Sequence, residues 1–182
     1  MMTDDRDIKI YVKKSVAEAG EFQSINDEIQ LHIANGNQSK AISLGQEMAK
    51  IKPEDGIFEL GGIAMTSALL YQLRVLLTFT AEHTLRNKIT VETLAKSACA
   101  AMYEYLKVNE NGYYCNISDG AAFSFYRLAL KKDGDEAANI GEQFSMLCNM
   151  NSREIAELGK SVYIQASDYF GRKIQETTFK EV

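Results

Sequence analysis

Between Ile57 and Ala81 the chain carries only two charges, Glu59 and Arg74, in 25 consecutive residues. Apolar residues in this stretch fall at every helical angle, Ile57, Phe58, Leu60, Ile63, Met65, Leu69, Leu70, Leu73, Val75, Leu76, Leu77 and Phe79 among them. A helix that is hydrophobic all round has to be buried, in a protein core or in a bilayer. The bilayer is the poorer fit. Arg74 leaves only 14 uncharged residues from Leu60 to Leu73, and an arginine at mid-membrane costs about 2.5–3.5 kcal/mol. Gly61-Gly62 and Gln72 weaken the run further, and with no Trp in the chain there is no aromatic belt. The segment 57–81 is therefore expected to be a central core helix wrapped by the others. From Tyr71 to Thr80 the residues also alternate in the manner of a strand. No partner strand is evident elsewhere, and an unpaired strand leaves its backbone groups unsatisfied, so a helix is expected there too.

The rest of the chain supports an all-α fold: one domain over 1–182, a helical bundle of about seven to eight helices. A single proline, Pro53, in 182 residues leaves helices uninterrupted. Apolar stripes predict helices over 5–19, 21–34, 39–52, 90–107, 118–132 and 135–149, with Ser39, Thr90 and Ser118 as caps. Asp55 is the expected cap of the central helix, and 82–88 reads as a polar connection. Val108 to Ile117, rich in Asn and Gly, reads as the longest loop. The last helix, 152–177, has Asn151 and Glu154 at capping-box spacing and an apolar face from Ile155 to Ile174. It would be about 39 Å long.

A net charge of −5 and an isoelectric point near 5.2 argue against nucleic acid and anionic membrane surfaces as partners. Cys99, Cys115 and Cys148 are odd in number and widely spaced, neither a disulfide framework nor a zinc site. The first residues are acidic and lack an apolar core, so no signal peptide is read there. Together these predict a reducing, cytoplasmic setting.

Chemical motifs are sparse. Glu28 and His32 stand four apart on a helix and could share a ligand, but the di-iron bundles use Glu-x-x-His twice. His32 lies on an apolar stripe and reads as a partly buried core histidine. Gly159-Lys160-Ser161 ends like a Walker A loop, with Glu154 where the first glycine belongs, and sits within a periodic helix. Lys107 and Ala137 occupy liganding positions in the two acidic loops that otherwise suggest calcium. No Ser–His–Asp or Cys–His set can be assembled. The sequence thus predicts no metal and no cofactor, and leans away from an enzyme.

Two partial resemblances exist. Gly36, Asn37, Ala41, Ile42 and Pro53 resemble the second half of a tetratricopeptide repeat, and Leu60-Gly61 echoes the start of a following one. Gly45 and Met48 depart from that pattern, so at most one such hairpin is implied. Ile89 to Ala98 resembles the first half of the helix-turn-helix of tetracycline-repressor-like regulators, though Cys99-Ala100-Ala101 continues the helix where a glycine turn belongs. Neither family's function is carried over.

What remains is a non-enzymatic helical protein acting through protein contacts, as a homo-oligomer or with another protein. Tyr113, Tyr114, Tyr163 and Tyr169 are candidate interface anchors. One alternative is a small-molecule-binding, sensor-like bundle, with Met65, Met102, Tyr105, Phe125, Phe144 and Met146 as possible lining and Arg74 and His32 as candidate pocket or buried polar groups. A second is a divergent regulator with a degenerate helix-turn-helix near 89–106. Arg74 carries a condition: a buried guanidinium needs a carboxylate or a route to solvent.

Overall fold

The computed structural model describes residues 23–181, and these form eight helices and no strand. They are α1 (23–34), α2 (Asn37–Lys50), α3 (Ser67–Lys88), α4 (Glu92–Asn109), α5 (Asn111–Asp119), α6 (Ala122–Ala129), α7 (Glu136–Leu147) and α8 (Arg153–Glu176). A single 3-10 turn, Pro53–Asp55, follows α2. The helix expected at 5–19 lies outside the described residues. No described helix is long and apolar enough to cross a membrane.

Helix α3 is the axis of the fold. It packs against α2, α4, α6, α7 and α8, and every residue from Leu73 to Glu82 is buried. The buried central helix is therefore present, but displaced along the sequence. Residues 57–66 are irregular rather than helical. Gly61 takes φ 67, a left-handed turn, and Thr66 caps the helix by accepting the Leu69 N–H at 3.2 Å. Asp55 belongs instead to the 3-10 turn. A Cβ on Gly61 or Gly62 would meet nothing within 4 Å, so the pair makes a turn and not a helix contact. Phe58 still reaches the core, 5% exposed and edge-on to Tyr169 at 5.9 Å. At its other end α3 continues through 82–88, where a polar connection was expected.

A further boundary and a cap differ. The loop expected at 108–117 is the end of α4 followed by α5, with Ile117 buried and Tyr113 and Tyr114 half-buried. Helix α8 starts after Ser152, which makes no side-chain cap, so the Asn151–Glu154 box does not form. The hydroxyl of Ser145 accepts the Ser152 N–H at 3.1 Å instead. Leu60-Gly61 lies in the irregular segment, so no second tetratricopeptide repeat follows α2. Helix α4 runs unbroken from Glu92 to Asn109, with no turn where the helix-turn-helix would need one.

Close backbone approach at glycines fixes the helix pairs. A Cβ at Gly45 of α2 would stand 2.0 Å from the Ala98 carbonyl oxygen of α4, and one at Gly159 of α8 would stand 2.6 Å from the Phe144 ring of α7. Gly159-Lys160-Ser161 is thus a packing site within a helix.

Two carboxamides pin extended backbone. Gln165 of α8 accepts the Glu59 N–H at 2.8 Å and donates to the Glu59 carbonyl at 3.3 Å. Asn37, fully buried at the start of α2, does the same for Lys180 in the tail after α8, with both bonds at 2.8 Å. Because Lys180 offers one donor and one acceptor, the Asn37 amide orientation is fixed.

Candidate functional site

Arg74, Thr78 and Glu82 follow one another at four-residue spacing, so they share one face of α3. That face looks toward the unit formed by α4, α5 and α6. Arg74 is 7% exposed and Glu82 3% exposed, two charges inside the most thoroughly buried stretch of the molecule. Buried charges persist only when paired and hydrogen-bonded. Each end of this seam meets that requirement differently.

At the Arg74 end, Nη2 donates to Glu110 Oε1 at 2.8 Å and to the Ala49 carbonyl at 3.1 Å. Ala49 lies in the last turn of α2, where carbonyls lack helical partners and the dipole is negative, so the guanidinium also closes that helix. Lys52 Nζ stands 4.0 Å from the same Glu110 oxygen. The Arg74 guanidinium carbon lies 5.2 Å from the centre of the Tyr113 ring. The Tyr113 hydroxyl reaches Thr78 Oγ1 at 2.7 Å and the Arg74 carbonyl at 3.1 Å. Burial pushes the Tyr113 phenol well up, which keeps it a neutral hydrogen-bonding group. This end is sealed. Arg74 Nε, Gln72 Oε1 and the hydroxyl of fully buried Tyr126 are interior polar atoms without a partner among the described residues.

At the Glu82 end the buried partner is the anion. Glu82 Oε1 accepts from Arg86 Nε at 2.7 Å, and Oε2 accepts from the Tyr103 hydroxyl at 2.8 Å. Arg127 Nη2 donates to both oxygens at 3.2 Å. The side chains of Arg86 and Arg127 remain 53% and 56% exposed. Burial next to Glu82 pushes the Tyr103 phenol up, and burial pushes the nearby Cys99 thiol up to about 11. Next in line on α3, His83 stacks on Phe79 with ring centres 6.0 Å apart; burial lowers its pKa, against the raising influence of Glu136 and Glu82.

A cleft of about 370 Å³ opens directly over this end. Tyr103 of α4, Tyr114 and Ser118 of α5, and Phe123, Ser124 and Arg127 of α6 face it. The Glu82 carboxylate thus accepts four hydrogen bonds from three side chains. No group of three or more His, Cys, Asp or Glu suited to a metal occurs among the described residues, and all three cysteines are free.

The residues singled out from sequence are distributed as follows. Arg74 is buried and paired. His32 is 3% exposed, with Nδ1 3.2 Å from Asn37 Nδ2 and Nε2 3.7 Å from Glu28 Oε1. It lies on the Asn37 clamp, away from the seam. Tyr113 and Tyr114 both turn inward, the second edge-on to Tyr103 at 6.5 Å. Tyr163 is 5% exposed, its hydroxyl bonded to Glu136, and Tyr169 packs between Phe58 and Phe170. Met102 and Phe144 are core, whereas Phe125 and Met146 are exposed. Glu82, Tyr103, Glu110 and Arg127 were not singled out. The only local signal among them is Glu82–Arg86 at i, i+4 spacing.

No known protein family, curated protein or solved structure matches the chain.

Proposed function

We propose that this chain is a small-molecule-binding helical bundle whose ligand enters the cleft between α4, α5 and α6. The observation that carries this reading is the cleft beside the Glu82 cluster, lined by two of the partners of Glu82, Tyr103 and Arg127, and by the hydroxyl-bearing Tyr114, Ser118 and Ser124. Its volume, about 370 Å³, falls in the range of roughly 300–1,000 Å³ usual for ligand sites. The hydroxyls of Tyr114, Ser118 and Ser124 have no hydrogen-bond partner among the described residues, while Tyr103 and Phe123 supply aromatic surface. A fragment screen followed by thermal shift and ligand-observed NMR tests it. Ligands should raise the melting temperature, and Ser124→Trp, at an exposed position, should abolish their binding by filling the cleft. Hits indifferent to Ser124→Trp, or no hits at all, would sink the proposal.

Self-association or docking of another protein is the second reading. It draws on Phe125 and Leu128, 43% and 58% exposed and three residues apart on the outer face of α6. The tyrosines named from sequence lend it less, because their rings are engaged inside the fold. Light scattering on the wild type and a Phe125→Asp/Leu128→Asp double variant separates the two readings. A dimer lost in the variant favours this one.

A further inference from the structure

We propose that His32 and Asn37 form an acid-sensitive latch on the tail after α8: protonation of His32 turns the Asn37 carboxamide over and frees the tail. Every polar atom of that carboxamide is committed. Oδ1 accepts the Lys180 N–H and Nδ2 donates to the Lys180 carbonyl, each at 2.8 Å. These two bonds set which side of the amide carries the oxygen. The second Nδ2 hydrogen then meets His32 Nδ1 at 3.2 Å. Nδ1 can receive it only through a free lone pair, so the network assigns a neutral ring with its proton on Nε2. Nε2 in turn stands 3.7 Å from Glu28 Oε1. Ring and amide are 3% and 0% exposed, so neither can trade a lost partner for bulk water.

A second proton on the ring makes Nδ1 a donor facing a donor. Asn37 has one remedy, a half-turn about its last side-chain bond, which exchanges oxygen and nitrogen. The oxygen then accepts from the imidazolium, a charge-assisted bond. The same turn sets oxygen against the Lys180 carbonyl and nitrogen against the Lys180 N–H, so both tail bonds are lost together. Asn37 can serve the neutral ring and the tail, or the charged ring, and not both. The charged ring is otherwise provided for. Glu28 on α1 is a carboxylate already beside Nε2, and Thr93 of α4 donates to that carboxylate at 3.1 Å. From α2 the ring meets Asn37, while Lys40 of the same helix holds the Thr178 carbonyl with its ammonium and Lys180 is exposed on the tail. Phe179, packed against the core between these anchors, leaves with the tail. The latch is complete while His32 is neutral and is lost as the pH falls through protonation of the ring.

The test is an NMR pH titration of the full, isotope-labelled chain. Ring nitrogen shifts should show the Nε2–H form on the alkaline side of the His32 step and locate that step on the pH axis. Over the same step the Lys180 N–H should lose about tenfold or more of its exchange protection, corrected for intrinsic exchange, as two hydrogen bonds broken together require. Helix α3 should keep its protection throughout. His32→Gln, whose amide oxygen can accept from Asn37 but does not titrate, should hold the tail across the whole range. His83→Gln, which removes the other histidine, should leave the step in place. Circular dichroism checks that both variants fold, and the wild-type titration decides the matter if His32→Gln does not. An Nδ1–H ring on the alkaline side, or a tail whose protection ignores the His32 step, overturns the latch. So does a His32 that stays neutral until the whole chain unfolds, a simultaneous loss of protection in α3, or a step retained in folded His32→Gln.

Discussion

The two ends of the seam on α3 solve one problem in opposite ways. At the Arg74 end the cation is interior, and its partner Glu110 is only a quarter exposed, so the pair is sealed under Tyr113. At the Glu82 end the anion is interior and its partners are long, half-exposed arginines. An isolated buried charge is far more costly than a missing pair, so which partner is interior decides which substitution does damage. The sealed end reads as structure. The other end keeps donors pointed at solvent, and it is there that the cleft opens.

The comparison is broken most directly by stranding each buried charge. Glu110→Ala leaves Arg74 inside without its carboxylate and should cost about 3 kcal/mol in urea unfolding. Glu82→Ala should cost less, because both arginines turn out into water. Equal losses would mean that the two ends do not differ in the way described. An Arg86→Gln/Arg127→Gln double variant strands Glu82 and should approach the Glu110→Ala loss; adding Glu82→Gln should restore most of it. Tyr113→Phe removes the hydroxyl from Thr78 and should cost about 1 kcal/mol, the usual scale for one hydrogen bond.

Alkaline pH sharpens the picture further. Tyr103 and Tyr113 keep their protons in the fold beyond the ordinary phenol range, burial being the main cause. Their contribution is full below about pH 10, where the unfolded chain is also protonated, and is lost as the pH rises above that. Spectroscopic titration should show delayed phenolate formation followed by unfolding, and Tyr103→Phe should flatten the loss. The smallest effect is kinetic. Cys99, 3% exposed and pushed up to about 11 beside the Glu82 cluster, should react slowly with thiol reagents at neutral pH. It should react faster in the double arginine variant than in Tyr113→Phe; the reverse order would locate the loosening at the wrong end.

The all-α class and the buried central helix were legible because they depend on composition and periodicity alone. Arg74 was legible as a problem, since the one carboxylate in its segment, Glu59, is 15 residues away. Its solution was not, because Glu110 is 36 residues away, and no local pattern reports a contact that distant. Glu82 was hidden for the same reason: at the start of a stretch rich in polar residues, 82–88, it read as part of a polar connection. Arg127, 45 residues distant, makes it a buried hub. The false start at Ile57 reflects an apolar run that includes irregular chain: Phe58 is needed in the core but arrives there from a turn. Segment 108–117 looked like a loop because Asn and Gly are weak helix formers. Packing of Tyr113 and Ile117 overrides that preference.

The Asn37 clamp bears on where the polypeptide can be shortened. Residues 178–182 look dispensable in a sequence, five positions beyond the helix expected at 152–177. Yet a fragment ending at Thr177 would leave a carboxamide at zero exposure with its carbonyl oxygen unanswered and one of its two donors idle. The damage would surface far from the cut, at the junction of α1 and α2, and proteolytic trimming there should unravel the first half of the chain before the last.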